Sequence, residues 1–129
     1  MSRIKVLVVD DSRTALMMTC MVLARGPFDV ITASGGEEGI TKALSERPDV
    51  ILLDVVMPQV NGFDACRRLR ADTATRSIPI IMLTTRGEAE HVETGFTVGC
   101  SEYLTKPVDG TELIAKIKDL AAARAGEAV

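Results

Sequence analysis

Four apolar stretches rich in branched side chains each stop abruptly at a polar residue. They are residues 4–9 before Asp10, 50–53 before Asp54, 78–83 before Thr84, and the shorter pair 103–104 before Thr105. A fifth candidate is 28–32. Their apolar character is largely continuous, whereas a strand with one wet face alternates. Continuous runs belong to strands buried on both faces, which is the condition of a parallel sheet covered by helices.

The intervening segments carry helical spacing. In the last of them Leu113, Ile117, Leu120 and Ala121 fall at i, i+4, i+7 and i+8, leaving Lys118 to solvent and Lys116 at the border of the apolar face. Three segments, beginning Ser34-Gly35-Gly36-Glu37, Thr85-Arg86-Gly87-Glu88 and Asp109-Gly110-Thr111-Glu112, place a capping side chain three residues before a Glu. The reading is β1 4–9, α1 12–25, β2 28–32, α2 35–46, β3 49–53, α3 62–71, β4 78–83, α4 87–97, β5 101–104 and α5 110–123. Five strand–helix repeats with right-handed crossovers give an α/β, flavodoxin-like doubly wound (βα)5 sandwich, for which we take the sheet order 2-1-3-4-5. One domain is expected over residues 1–124, with 125–129 a short loose tail and no room for an effector domain.

Composition narrows the function classes. With 129 residues, of which 47% are hydrophobic, the chain can bury a core without disulfides or a structural metal. Cys20, Cys66 and Cys100 are odd in number and widely spaced, which fits small reduced core residues rather than a bridge or zinc site. No apolar run approaches the length of a membrane span and no signal peptide is evident, so we expect a cytoplasmic protein without membrane contact. The net charge of −3 lacks the basic footprint of a nucleic-acid binder.

In an open parallel sheet, ligands bind beyond the carboxyl ends of the strands, where strand order reverses. Here that reversal lies between β1 and β3, so Asp10 and Asp11 come beside Asp54, with Thr84 and Lys106 lining the same mouth. Three carboxylates in one pocket repel, and at least one would have a raised pKa. One Lys leaves a formal excess of two negative charges, which a divalent cation neutralises. Mg²⁺ fits a site of few carboxylates with room for a phosphoryl oxygen. The set reads as a phosphoryl-transfer site with a carboxylate nucleophile, charge neutralised by metal and Lys, and a hydroxyl to bond a phosphoryl oxygen.

With Val8-Val9-Asp10-Asp11-Ser12, Leu53-Asp54-Val55-Val56-Met57-Pro58 followed by Asn61-Gly62, Leu83-Thr84, and Tyr103-Leu104-Thr105-Lys106-Pro107, the chain resembles a response-regulator receiver domain of bacterial two-component signalling, of the single-domain CheY-like kind. CheY itself has the 2-1-3-4-5 order, so topology and resemblance are one expectation rather than two. The resemblance implies that Asp54 accepts a phosphoryl group from a histidine kinase or phosphotransfer protein, with Asp10, Asp11, Asp54 and the backbone carbonyl of Val56 holding Mg²⁺. It implies that Lys106 pairs with the phosphoryl group across a cis bond to Pro107. Thr84 and Tyr103 would form a switch, Thr84 moving toward the phosphoryl group and Tyr103 turning inward to fill the space beneath β5. A downstream protein would then read the α4–β5–α5 face, with Glu88, Glu90, Glu93, Lys116 and Lys118 as its polar rim, and the chain would be a monomer or weak dimer. Val56 and Arg86, two residues beyond Asp54 and Thr84, border the route of attacking water in receivers and leave the phosphoryl lifetime open.

Plainer readings stand beside these. Asp10 and Asp11 could cap α1, Tyr103 could be an interior Tyr with some other partner, His91 reads as solvated, and the six Met residues, Met17, Met18 and Met21 among them, read mostly as packing. Gly35-Gly36 lacks the spacing of a nucleotide loop. Rival functions are a receiver-fold binding module that is never phosphorylated and an aspartate-nucleophile phosphohydrolase. The first is disfavoured because every element of the acceptor site is present. The second wants an Asp two residues past the nucleophile, where Ser12 and Val56 stand. The chain is therefore read as no turnover enzyme, catalysing only its own phosphorylation and dephosphorylation.

Overall fold

Strand and helix alternate five times in the computed structural model, which describes residues 3–84 and 89–127. The elements are β1 Ile4–Val9, α1 Arg13–Leu23, β2 Phe28–Ala33, α2 Gly36–Glu46, β3 Val50–Asp54, α3 Gly62–Ala71, β4 Ile80–Thr84, α4 Ala89–Thr97, β5 Glu102–Thr105 and α5 Gly110–Glu127. The five strands form one parallel sheet in the order β2-β1-β3-β4-β5, as expected.

Successive side chains of a strand point to opposite faces, and here both faces are dry. Leu7, Val9, Ile51, Leu53, Ile80 and Met82 pack beneath α2 and α3 with Ala43, Ala65, Cys66 and Leu69. Val6, Val8, Val50, Leu52, Ile81 and Leu83 pack on the other face with Leu23 of α1 and Leu113 and Ile117 of α5. This double burial is why the strands read as unbroken apolar runs.

Several local expectations are corrected. β4 begins at Ile80, because Pro79 has no N–H to donate to a ladder, although its carbonyl accepts from Ile51 N at 2.9 Å. The expected Ser34 cap is not formed: Gly35 is the N-cap of α2 with no side-chain bond, Ser34 donates its amide and hydroxyl to Glu38 Oε1 at 2.7 and 2.9 Å, and Glu37 pairs with Arg68 of α3. The Asp109 cap is present, its Oδ1 accepting from Thr111 N at 2.9 Å. The tail is shorter than expected, since α5 continues through Glu127. The expected cap at Thr85 and the side chains of Arg86, Glu88, Glu90 and His91 lie outside the described residues.

The largest departure is on α1. Met17, Met18 and Met21 are 59, 60 and 67% exposed, not packed. The helix docks through Leu16, Val22 and Leu23, which turns the three methionines outward. Cys20 is half-buried, so of the three free cysteines only Cys66 and Cys100 are core residues.

One close approach sets the loop after β3. A Cβ on Gly62 would stand 2.3 Å from the Asp54 carbonyl oxygen and 2.7 Å from the Val55 Cα, and Gly62 N donates to the Val55 carbonyl at 2.9 Å. Because backbone cannot step aside as a side-chain tip does, Gly62→Ala is expected to destabilise the fold by about 2 kcal/mol. Urea denaturation measures this, and an unchanged midpoint would contradict the packing described.

Candidate functional site

The ends of β1 and β3 deliver the acids. Beyond β1, Asp10 N still donates to the Ala33 carbonyl at 3.1 Å, which holds the residue in line with the strand. Its Oδ1 accepts from Ser12 N at 2.9 Å, and Ser12 Oγ in turn accepts from Ala15 N at 3.2 Å as the N-cap of α1. Asp10 therefore does not cap α1 itself but holds the backbone of Ser12, the residue that does. The other Asp10 oxygen accepts from Lys106 Nζ at 2.8 Å. Asp54, the last residue of β3, accepts from the same ammonium through Oδ1 at 3.3 Å. Asp10 and Asp54 are buried and Asp11 is exposed, and one carboxylate oxygen from each of the three lies within 4.8 Å of the others.

Lys106 reaches the acids from the end of β5. Its backbone N donates to the Thr84 carbonyl at 2.5 Å, and its bond to Pro107 is cis. Asp10, Asp11, Ser12, Ala15, Asp54, Val56 and Lys106 line a mouth of about 320 Å³, with Val56 63% exposed at its rim. Three carboxylates and one ammonium around an open space are a donor set suited to a hard divalent cation, and the residues fit Mg²⁺.

Thr84 is buried at the end of β4, one position beyond the Asp54–Leu83 pairing of β3 with β4. Tyr103 pairs with Met82 in the β4–β5 ladder. Its hydroxyl is closed off from solvent, with the Thr84 side chain as its polar neighbour.

A second feature escaped the sequence reading. A groove of about 350 Å³ runs between α1 and α5, lined by Ala15, Met18, Thr19, Val22, Pro107 and Val108 among others. It shares Ala15 and Lys106 with the acidic mouth, so the two are adjacent. The signal available in the sequence was the Leu16, Cys20, Leu23 stripe at i, i+4 and i+7, which leaves Met17, Met18 and Met21 on the opposite side.

Burial pushes the Asp54 carboxyl up to about 6, helped by the charges of Asp10 and Asp11 and opposed by Lys106. Burial alone would lower Lys106, but its hydrogen bond to Asp10 and the Asp54 charge outweigh that and hold the ammonium above its ordinary value. The thiols are not competing nucleophiles: burial raises Cys20 and Cys66, and pushes Cys100 up to about 12.

A carboxyl raised in the fold binds more protons there than in the unfolded chain, so its contribution to stability falls as pH rises from about 4 to about 6. Discounted for partial solvent screening, the loss is about 1–2 kcal/mol at neutral pH without divalent ions. Asp54→Asn should remove that slope and melt higher than wild type at neutral pH in chelator, and millimolar Mg²⁺ should narrow the difference. Coincident melting profiles of the two proteins across this pH range would refute the assignment.

Comparison with known proteins agrees with this geometry. Residues 6–118 match the profile of the response regulator receiver domain. Protein PilH of Pseudomonas aeruginosa is 40% identical over 113 residues, which cover 88% of this chain and 93% of that protein. The alkaline phosphatase synthesis transcriptional regulatory protein PhoP of Bacillus subtilis is 40% identical over 114 residues, covering 88% of this chain and 47% of PhoP, so the chain spans about half the length of that relative. Among solved structures, chemotaxis protein CheY4 of Vibrio cholerae superposes with a TM-score of 0.86 at 34% identity, covering 92% of this chain and 99% of CheY4. A putative response regulator from Chloroflexus aurantiacus J-10-fl gives 0.90 at 33% identity, with 94 and 99% coverage. The match runs through every strand whose end contributes to the acidic mouth, and the chain belongs to the response regulator receiver domain family of two-component signalling.

Proposed function

We propose that this receiver domain is a phospho-acceptor switch in which Asp54 takes a phosphoryl group from a phosphohistidine of a histidine kinase or phosphotransfer protein. The observation that carries this reading is the shared ammonium: Lys106 Nζ bonds both Asp10 and Asp54 at the mouth of the β1–β3 crevice. In the transfer an Asp54 carboxylate oxygen attacks phosphorus, the O–P bond forms as the P–N bond to imidazole breaks, and the imidazole leaves. With its acidity near 6, Asp54 is mostly ionised at neutral pH and able to attack. Lys106 is placed to move from the Asp54 carboxylate to a phosphoryl oxygen, and the Thr84 hydroxyl to bond another.

Asp10, Asp11, Asp54 and the Val56 carbonyl are the groups we assign to Mg²⁺, which when bound would neutralise the carboxylates and the transferred oxygens. Asp10 and Lys106 also orient each other, which keeps the ammonium aimed into the mouth. The cytoplasm is the compartment this reading calls for.

The phosphodonor protein docks, in this reading, on α1. Met17, Met18 and Met21 form an exposed apolar face, and the groove beside Met18 adjoins the acidic mouth. Exposed apolar patches of this kind mark protein contacts, and methionine adapts to more than one partner surface. The output partner reads the α4–β5–α5 face, where Lys116 pairs with Glu102 at 3.5 Å and Phe96 is exposed.

Intact mass after incubation with a small phosphodonor and Mg²⁺ should show one added phosphoryl group per chain, labile to hydroxylamine. Asp54→Asn should show none, and excess chelator or Asp11→Ala should abolish labelling. Labelling of Asp54→Asn at the wild-type rate would sink the proposal. For docking, Met18→Asp should slow transfer from a phosphorylated donor protein by about tenfold or more, the loss expected when an interface anchor is spoiled, while labelling by the small phosphodonor stays at the wild-type rate. Equal slowing with both donors would place Met18 in the chemistry rather than in docking.

A further inference from the structure

A glycine in the middle of α4 has no local justification. Glycine weakens a helix interior relative to alanine, and Gly95 is neither a cap nor a residue of positive φ. Its neighbours supply the reason. A Cβ there would stand 3.0 and 3.2 Å from Cδ2 and Cε2 of Tyr103 and 3.3 Å from Cys100 Sγ. The Tyr103 ring lies against the bare backbone of α4, packed on the core cluster that contains Cys66 and Cys100, and its hydroxyl is buried on the Thr84 side.

We propose that Gly95 is the positioning residue that builds the inward seat of Tyr103 and sets how strongly the ring is held there. The inference rests on Tyr103 being part of the output switch. A Cβ at 95 would force the Tyr103 ring to give by a few tenths of an ångström. The nearest atoms a methyl group there would meet belong to Tyr103 and Cys100, neither of which lines the acidic mouth. The bias of the α4–β5–α5 face is then written in part into the α4 sequence. A ligand or modification shifts such an equilibrium only by the difference in its interaction with the two states, so a substitution that changes the resting bias changes the response without touching the chemistry.

Tyr103 is the only tyrosine and the chain has no tryptophan, so intrinsic fluorescence reports this ring alone. With no phosphodonor present, acrylamide should quench the wild-type protein weakly and Gly95→Ala several-fold more strongly, while the rate of labelling by a small phosphodonor is the same in both. Adding beryllofluoride with Mg²⁺ should reduce quenching in Gly95→Ala much more than in wild type. Should the methyl group loosen the whole fold, a second measurement separates the cases. In a Tyr103→Leu background Gly95→Ala should raise the thermal midpoint more than it does beside Tyr103, since the helix gains an alanine without losing a seat. Equal quenching of wild type and Gly95→Ala, or the same midpoint change in both backgrounds, overturns the proposal. The quenching comparison needs no phosphorylation, so a failure of Asp54 labelling and a failure of the seat are read independently.

Discussion

The ammonium of Lys106 stands between two buried carboxylates that the sequence keeps far apart, 96 residues from Asp10 and 52 from Asp54. A buried charge without a partner is strongly unfavourable, so two buried acids at the end of a sheet need a cation from elsewhere in the fold. The order β2-β1-β3-β4-β5 brings the ends of β1 and β3 side by side, with β5 close enough for its lysine to reach both. Lys106 nevertheless leaves a negative surplus in the mouth. Burial, helped by that surplus, raises Asp54, and the surplus suits the pocket to a divalent cation and an incoming phosphoryl group.

Around this charge pair the molecule divides its surfaces. On one side α1 and the start of α5 frame an apolar groove that adjoins the acidic mouth at Ala15 and Lys106. On the other side Thr84 ends β4 and Tyr103 stands in β5, its ring against Gly95 of α4.

The elements that were legible in the sequence are those whose cause is local or strongly periodic. Unbroken apolar runs announced strands buried on both faces, and Asp109 announced the start of α5. Where the reading failed, a nonlocal competitor decided. Glu37, spaced to answer Ser34, is taken by Arg68 of α3, and Glu38 answers instead. The methionines of α1 looked like packing because composition alone does not say which side of an amphipathic helix meets the sheet, and Leu16, Val22 and Leu23 meet it.

The residue types of the site and their positions at strand ends were written in the chain, because a polar residue that terminates a buried strand has nowhere to go but the mouth of the sheet. The α/β class was written there for the same reason, since dry strands on both faces require helices between them. Distances came from the packing: that Lys106 bonds Asp10 more closely than Asp54, that the groove and the mouth share a wall, and that the Tyr103 hydroxyl is buried. Each depends on how far one side chain lies from another that is remote in sequence. Close packing fixes such separations to fractions of an ångström, and no local pattern encodes them.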